Sequence, residues 1–442
     1  MTDLAAGYQM AFEANEDGIN LVIERTLFAL RNQLTFDRRV LRRGYLRARL
    51  TSIEVTDLRD PPPKGQARAD LQIRAEASWS LFGLFPKTTS VLLEINAVEL
   101  VVKKTQAGLP VGLVFSVTPG LSVDVSFVMN RPVRNWILNR LIAPIIELGV
   151  WLGFRIVQEV DIPLWKLLDT FAAAGLRFSA NSPFVTGQNQ TTPSSALVAC
   201  DFDLVNQSIG QPAQLQSFQS PPHNFSAVVR DELVNAMVQS AFAKGWLPSR
   251  FRVGKWKIYL NAIDVQFVPD RIEARGQLKA KRGKCWCRVK AKIQFSAAVE
   301  PKIDTSTGTT LATFQYDANI NTQVSTPGML VVLGVIMFGP LFLALISASS
   351  VLINLVLDRF LPFQTGWNQN GNQLTLTANP LSGASVSAFQ LDFPLQLSGS
   401  GTFDLSRFEQ FSLQNGAQFD VGFTPGSLLI KDDELKLEAE LK

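Results

Sequence analysis

Cysteine and histidine are nearly missing from this chain. Cys200, Cys285 and Cys287 are its three cysteines in 442 residues. Their odd number and the Cys-Trp-Cys spacing argue against a disulfide framework. On a strand Cys285 and Cys287 would point the same way, and two thiols without further Cys or His make a poor zinc site. The single histidine, His223, sits in a Pro-rich stretch, which leaves a Ser-His-Asp triad without support. No glycine-rich phosphate loop closing on Lys-Ser/Thr is present. The acidic run Asp432-Asp433-Glu434 follows Lys431 and reads as a turn, not as a spaced set of metal ligands. The expectation is a protein that is not an enzyme and holds no metal or other cofactor.

Charge is also sparse. Charged residues make up 18% and hydrophobic ones 46%, against a usual ~25% charged. That supply of apolar side chains suits large cores or lipid-facing surfaces. The net charge of +4 is mild and does not by itself point to nucleic acid. The length fits two to three domains. The first residues, MTDLAAGYQMAFEANEDG, lack a basic segment followed by an apolar one, so no secretory signal is read. A cytoplasmic setting is expected, peripheral to a membrane, with leaderless export left open.

What the chain has is one long apolar run. MLVVLGVIMFGPLFLALI, 329–346, carries no polar side chain. As a helix it would be about 27 Å long, close to a bilayer core of ~30 Å. Gly339-Pro340 interrupts it, and no Lys or Arg lies close to either end, so anchors of orientation are weak.

The chain also resembles itself. L-T-S-I-E-V at 50–55 matches L-N-A-I-D-V at 260–265. L-R-F-S-A-N-S-P at 176–183 matches L-T-L-T-A-N-P at 374–380. D-F-D-L at 201–204 matches D-F-P-L at 392–395. The matches keep their order, as a duplication with insertions would. Element order repeats too. An alternating strand, Y-Q-M-A-F-E-A, leads to a helix from about Asn15, a suitable N-cap. Its stripe is Ile19, Val22, Ile23, Thr26, Leu30 and Leu34. In the second copy H-N-F-S-A-V-V leads to a helix from about Arg230. Leu233, Val234, Met237, Val238, Ala241 and Phe242 form its stripe, and Gly245 its stop. Strands are expected over 45–58, 67–79, 88–104 and 111–129, then over 255–268, 271–281, 284–300 and 309–324. Each copy then carries a long apolar helix, from Pro132 and from Pro327, with an interior Pro144 or Pro340 that bends it. The first holds Glu147, Arg155 and Glu159, which a spanning helix rarely tolerates. If the copies share a fold, neither spans. The charge-free 205–222 reads as a connector, and 396–442 as a further antiparallel meander.

Two such units joined by a Pro-containing linker resemble the tubular lipid-binding (TULIP) superfamily. Its two-domain members include bactericidal/permeability-increasing protein, and it has leaderless bacterial members among accessory proteins of clostridial neurotoxin clusters. The resemblance covers nearly the whole chain and rests on element order, not on a diagnostic motif. It implies an α+β fold of two tandem units, each a highly twisted antiparallel sheet wrapped around a long apolar helix. The units would be 1–204 and 223–442, about the connector 205–222. The single disulfide of secreted members has no counterpart here, since Cys200 is the only cysteine outside the second copy.

The resemblance implies apolar tubes that hold phospholipid or fatty acyl chains. Leu333, Ile336, Met337, Leu341, Leu345 and Leu352 would line the second tube, and Ile145, Leu148 and Leu152 the first. Docking on an anionic membrane has its own candidates. One is the hairpin tip W-S-L-F-G-L-F-P, with Trp79, Phe82 and Phe85. Another is a basic ribbon on the counterpart hairpin, with Lys279, Lys281, Lys284, Arg288, Lys290 and Lys292 beside Trp286. Strand alternation would set these opposite Leu278, Ala280, Cys285 and Cys287. The first helix-to-strand loop adds Arg38, Arg39, Arg42 and Arg43, with Arg47 and Arg49 following. Its counterpart holds Arg250, Arg252, Lys255 and Lys257 near Trp246 and Trp256. The apolar tip could instead cap a tube mouth or pack beneath another loop, and a merely solvated face is the plain alternative for the basic ribbon. Nucleic acid is disfavoured, because one Trp offers little stacking surface. Two rival functions stand beside lipid binding and transfer: an accessory or assembly protein with filled tubes and a protein partner, and an integral membrane protein anchored by 329–346.

Overall fold

In the computed structural model the structure describes residues 3–30, 35–40, 44–59, 67–81, 84–104, 110–116, 122–128, 176–177, 179, 184–188, 194–203, 209–244, 249–253, 256–282, 289–304, 309–324, 374–380, 385–386, 390–404, 407–412 and 418–442. These residues form two α-helices and three antiparallel sheets, an α+β architecture.

The chain opens with β1 (Met10–Asn15), which runs straight into α1 (Glu16–Leu30). Asn15 caps that helix: the Gly18 N–H donates to Asn15 Oδ1 at 2.9 Å, and Glu16 and Asp17 favour the positive helix start. A meander follows as β2 (Thr35–Val40), β3 (Gly44–Arg59), β4 (Ala67–Leu81), β5 (Leu84–Lys104) and β6 (Pro110–Ser116). The strand β7 (Ser122–Val128) pairs back on β5. The expected strand 111–129 is thus two strands, both pairing with β5. Then come β8 (Phe184–Gln188) and β9 (Ser195–Cys200).

The second half repeats the opening. β10 (Phe225–Arg230) runs straight into α2 (Asp231–Ala243), with Asp231 and Glu232 in its first turn. A meander follows as β11 (Arg250–Val253), β12 (Trp256–Val268), β13 (Arg271–Arg282), β14 (Val289–Asp304) and β15 (Thr309–Val324). After β16 (Leu374–Pro380), β17 (Ser385–Val386) and β18 (Gln390–Asp404), the chain ends in β19 (Arg407–Ser412), β20 (Gln418–Lys431) and β21 (Glu434–Leu441).

The meanders form one sheet each, and a third sheet draws on both halves in the order β19-β20-β21-β10-β1-β9-β8. The expected C-terminal meander therefore divides. β18 pairs with β15 in the second meander sheet, while β19 to β21 extend the shared one. The matched D-F-D and D-F-P segments are not equivalent either. Asp201–Asp203 follow β9, whereas Asp392–Pro394 lie inside β18. The apolar segments 132–158 and 327–352 lie outside the described residues. Among those described, no helix is long and apolar enough to cross a membrane.

The L-T-S-I-E-V and L-N-A-I-D-V segments, by contrast, make the same structure. In β3 the register to β4 shifts between Leu50 and Ser52, and in β12 the register to β13 shifts between Leu260 and Ala262. One extra residue re-phases a strand. Without it the alternation would turn Ile263 and Phe267 outward; with it Ile258, Leu260, Ile263 and Phe267 are all buried. A helix asparagine then grips the re-phased strand. The Val55 N–H donates to Asn20 Oδ1 (2.7 Å), and Asn20 Nδ2 donates to the Val55 carbonyl (2.9 Å). Asn235 does the same to Val265, at 2.6 Å in both directions. Ile19, Val22 and Ile23 of α1, and Leu233, Met237, Val238 and Ala241 of α2, are buried. The helices pack on β3 and β12 respectively.

Two hairpin turns lock the second meander to the shared sheet. The Asp433 N–H donates to the Phe267 carbonyl (3.2 Å), and the Asp270 N–H to the Ile430 carbonyl (3.1 Å). Both aspartates have a φ of 65°, a left-handed conformation that Asp tolerates. Replacing Asn20 or Asn235 by Ala leaves a strand N–H and carbonyl unpaired at a helix interface. Each variant should lose about 2 kcal/mol, the scale for orphaned polar groups, as read from urea unfolding midpoints.

Candidate functional site

The second meander places one charge sign on one face. Alternation along β13 buries Leu278 and Ala280 and leaves Lys279 and Lys281 half-buried on the other side. The register then extends this face across strands. Arg252, Lys257, Lys281 and Lys290 stand in one row over β11 to β14. Arg250, Tyr259, Lys279 and Lys292 stand in the next row of the same face. Over these four strands the two rows hold seven basic residues and no acidic one. Arg250, Arg252 and Lys292 are exposed.

Tyr259 sits at the centre of the patch. The Arg250 guanidinium lies 5.4 Å from its ring centre and the Lys281 ammonium 4.9 Å. Such contacts hold cations at about 0.5–1 kcal/mol each where exposed. Further along β13 the pattern changes. Glu273 accepts from Arg271 at 2.7 Å and from Arg275 at 2.9 Å, so basic residues near the hairpin turn are paired with a carboxylate.

Other expected docking residues are placed less closely together. Arg38 and Arg39 are not in a loop. T-F-D-R-R-V pairs antiparallel with β3, so both lie on β2, opposite Leu46 and Tyr45. Arg47 and Arg49 lie on β3, and Arg250, Arg252 and Lys257 likewise lie on strands rather than in a loop. Trp79 lies in β4 and Phe85 in β5, on either side of the tight connection that opposes Leu81 to Leu84. Arg42, Arg43, Phe82, Lys284, Trp286 and Arg288 lie outside the described residues. So do the tube-lining candidates Ile145, Leu148, Leu152, Leu333, Ile336, Met337, Leu341, Leu345 and Leu352. Tyr259 was missed from sequence; its signal is the K-I-Y-L alternation that sets it two residues beyond Lys257.

A second gathering of ionisable groups lies in the shared sheet, and it is structural. Glu13 is fully buried. Its Oε1 accepts from Ser195 Oγ (2.5 Å) and Ser217 Oγ (2.6 Å), and its Oε2 from the Phe218 and Gln219 N–H groups (2.8 and 2.9 Å). The carboxylate thereby straps the connector onto β1. Glu438 accepts from the Ser220 N–H (2.9 Å) and Ser427 Oγ (2.5 Å) and pairs with Lys436 (2.7 Å). Burial alone would raise its pKa, but the Lys436, Ser427 and Ser220 donors hold it below the ordinary range. His223 packs over Gly426, where a Cβ would collide with its ring, so the single histidine fills the gap at the β20 bulge. Cys200 is buried and belongs to no disulfide among the described residues.

Glu434 holds the N-terminal segment. It accepts from the Leu4 and Ala5 N–H groups at 3.0 Å each, beside Asp3 and Arg230. Burial, and then the neighbouring Asp3, push its pKa up to about 7. Burial likewise raises Asp231 to about 6, although the Phe267 N–H donates to it at 3.3 Å.

No protein-family model matches the chain, and no curated protein matches it. Among solved structures it is similar to P47 from Clostridium botulinum A2, at 7% identity and TM-score 0.31, over 99% of this chain and 98% of that one. P47 of Clostridium botulinum E1 gives 8% and 0.34, over 99% of each chain. A lipopolysaccharide binding protein gives 13% and 0.28, over 98% and 99%. At such TM-scores the likeness carries no argument about function.

The raised carboxyls set a pH dependence. A folded Glu434 keeps its proton up to about pH 7, where an unfolded one has released it above ~4.3. The folded state therefore binds more protons between these values, and stability falls as pH rises through this window. Asp231 acts in the same direction up to about pH 6. Urea midpoints should decline between pH 5 and pH 7.5, and Glu434→Gln should flatten that decline.

Proposed function

We propose that this protein is a non-enzymatic lipid-binding protein that docks on anionic membrane surfaces through the basic face of β11 to β14. The observation that carries the proposal is the charge pattern: seven basic residues in two adjacent rows with no acidic residue among them. Arg250, Arg252, Lys257, Lys279, Lys281 and Lys292 have no ion-pair partner among the described residues. An anionic bilayer offers such a face about 1 kcal/mol per basic residue near the surface. The Tyr259 ring supplies an amphipathic side chain of the kind found at membrane interfaces.

The lipid itself would lie against the apolar segments 132–158 and 327–352, whose sequences exceed what an amphipathic helix needs to cover. The protein would then act at the membrane periphery, with transfer of lipid between surfaces as one use of the site.

Two measurements test the proposal. Vesicles of phosphatidylcholine with phosphatidylserine should bind the protein at low salt and release it as salt rises. Replacing both Lys279 and Lys281 by Gln should weaken that binding about thirtyfold, the equivalent of ~2 kcal/mol. Organic extraction of gently purified protein followed by mass spectrometry should return phospholipid or fatty acid. Protein that stays empty, ignores vesicles and instead holds one stoichiometric protein partner would establish the assembly role.

A further inference from the structure

The spacing of charge on the basic face says more than its sum. Directly opposed residues on antiparallel neighbours have Cβ atoms ~4.5–5.5 Å apart, and like charges so placed destabilise the pair. By the register, Lys257, Lys281 and Lys290 are consecutive neighbours on three strands, and Lys279 opposes Lys292. The sheet holds this repulsion with little internal relief. Tyr259 takes up Arg250 and Lys281 on its ring, while the carboxylate of Glu273 is occupied at the far end by Arg271 and Arg275.

The anion that relieves such an arrangement needs more than one charge within a strand spacing, ~4.8 Å. A singly charged headgroup brings one charge to one ammonium. A phosphomonoester carries about −1.5 to −2 and three strong acceptor oxygens at neutral pH, and lysine meets phosphate as a point charge without demanding a bidentate fit. Two neighbouring lysines of a row can share one such group. By the register Lys281 stands between Lys257 and Lys290.

We propose that this face selects membrane lipids whose headgroup ends in a phosphomonoester over lipids whose headgroup carries a single negative charge. The proposal rests on the docking of this same face on membranes, and it names the headgroup chemistry that the lysine rows recognise. The three-lysine row is the selecting element, and Lys281 is its centre.

The experiment uses the full chain and two sets of phosphatidylcholine vesicles, one containing phosphatidic acid and one phosphatidylserine. Their amounts are adjusted until the vesicles have the same surface potential. Binding is expected to be about fivefold tighter to the phosphatidic acid set, the worth of one further charged contact near such a surface. Lys281→Gln should lower that ratio and Lys281→Gln combined with Lys279→Gln should bring it to about one, whereas Arg271→Gln, outside the rows, should leave it unchanged. Circular dichroism on each variant separates loss of selectivity from loss of fold. Equal binding at matched potential, or a ratio that Lys281→Gln does not change, would overturn the selectivity and leave membrane docking standing. Failure to bind either set would overturn both.

Discussion

The pairing of β1 with β10 is the contact on which the rest of this structure depends. The two strands lie antiparallel, from Met10 opposite Val229 to Ala14 opposite Phe225. Each runs into its helix with no intervening loop. An antiparallel pair sends its two continuations off opposite ends, so α1 and α2 diverge from this junction. Each helix then carries an asparagine that grips the backbone of a bulged strand, Val55 in one meander and Val265 in the other. The position of both meanders thus starts from one strand pair and two side chains, to which the second meander adds the clasp of the Asp270 and Asp433 turns. Carboxylates secure the junction from outside. Glu13 fixes the connector and Glu434 the first residues of the chain, in both cases by accepting backbone N–H groups that burial would otherwise leave unpaired.

Much of the element pattern was legible because it is local. The helix from Asn15 could be read from its cap and stripe, and the strands of the second meander from alternation broken at Pro269-Asp270. What stayed hidden was non-local. Nothing in F-S-A-V-V or M-A-F-E-A-N specifies that these two segments, far apart in sequence, lie side by side. Glu13 looks like the outward polar residue of an alternating strand. It is buried because Ser217 to Gln219 of the connector fold over it. The tail alternates throughout, so alternation could not tell that β18 joins one sheet and β19 to β21 another. A dense basic run resembles a loop, which is how Arg38 and Arg39 read from sequence. The pairing of β2 with β3 is what makes them strand residues.

The candidate site was half legible for the same reason. Period-2 alternation along one strand separated Lys279 and Lys281 from Leu278 and Ala280. It could not show that Lys257 and Lys290 flank Lys281, because that depends on the register across three strands. The bulge at Leu260 and Ala262 matters here as well as in the core. It shifts by one residue the pairing of everything between Lys257 and Leu260 relative to the rest of β12. With no bulge, the apolar face of Ile258 and Leu260 would lose its continuity with Ile263 and Phe267, and the lysine rows would lose their single face.

The two ends of β13 carry opposite demands, and charge is distributed accordingly. Near Arg271 the strand enters the clasp with the β20–β21 turn, and there Glu273 pairs with both of its arginine neighbours. Away from the clasp, lysine faces lysine. A sheet tolerates such pairs at a cost of a few tenths of a kcal/mol to about 1 kcal/mol each, provided that its other face is well packed. Ile258, Leu260, Leu278 and Ala280 supply that packing directly behind the lysine rows, at ~1.5–3 kcal/mol for each large side chain fully buried. The apolar face thus offsets the repulsion of the basic one residue by residue. An unbalanced charge pattern of this kind can persist in a folded sheet only where the alternate positions bury apolar side chains, as the alternate positions of β12 and β13 do here.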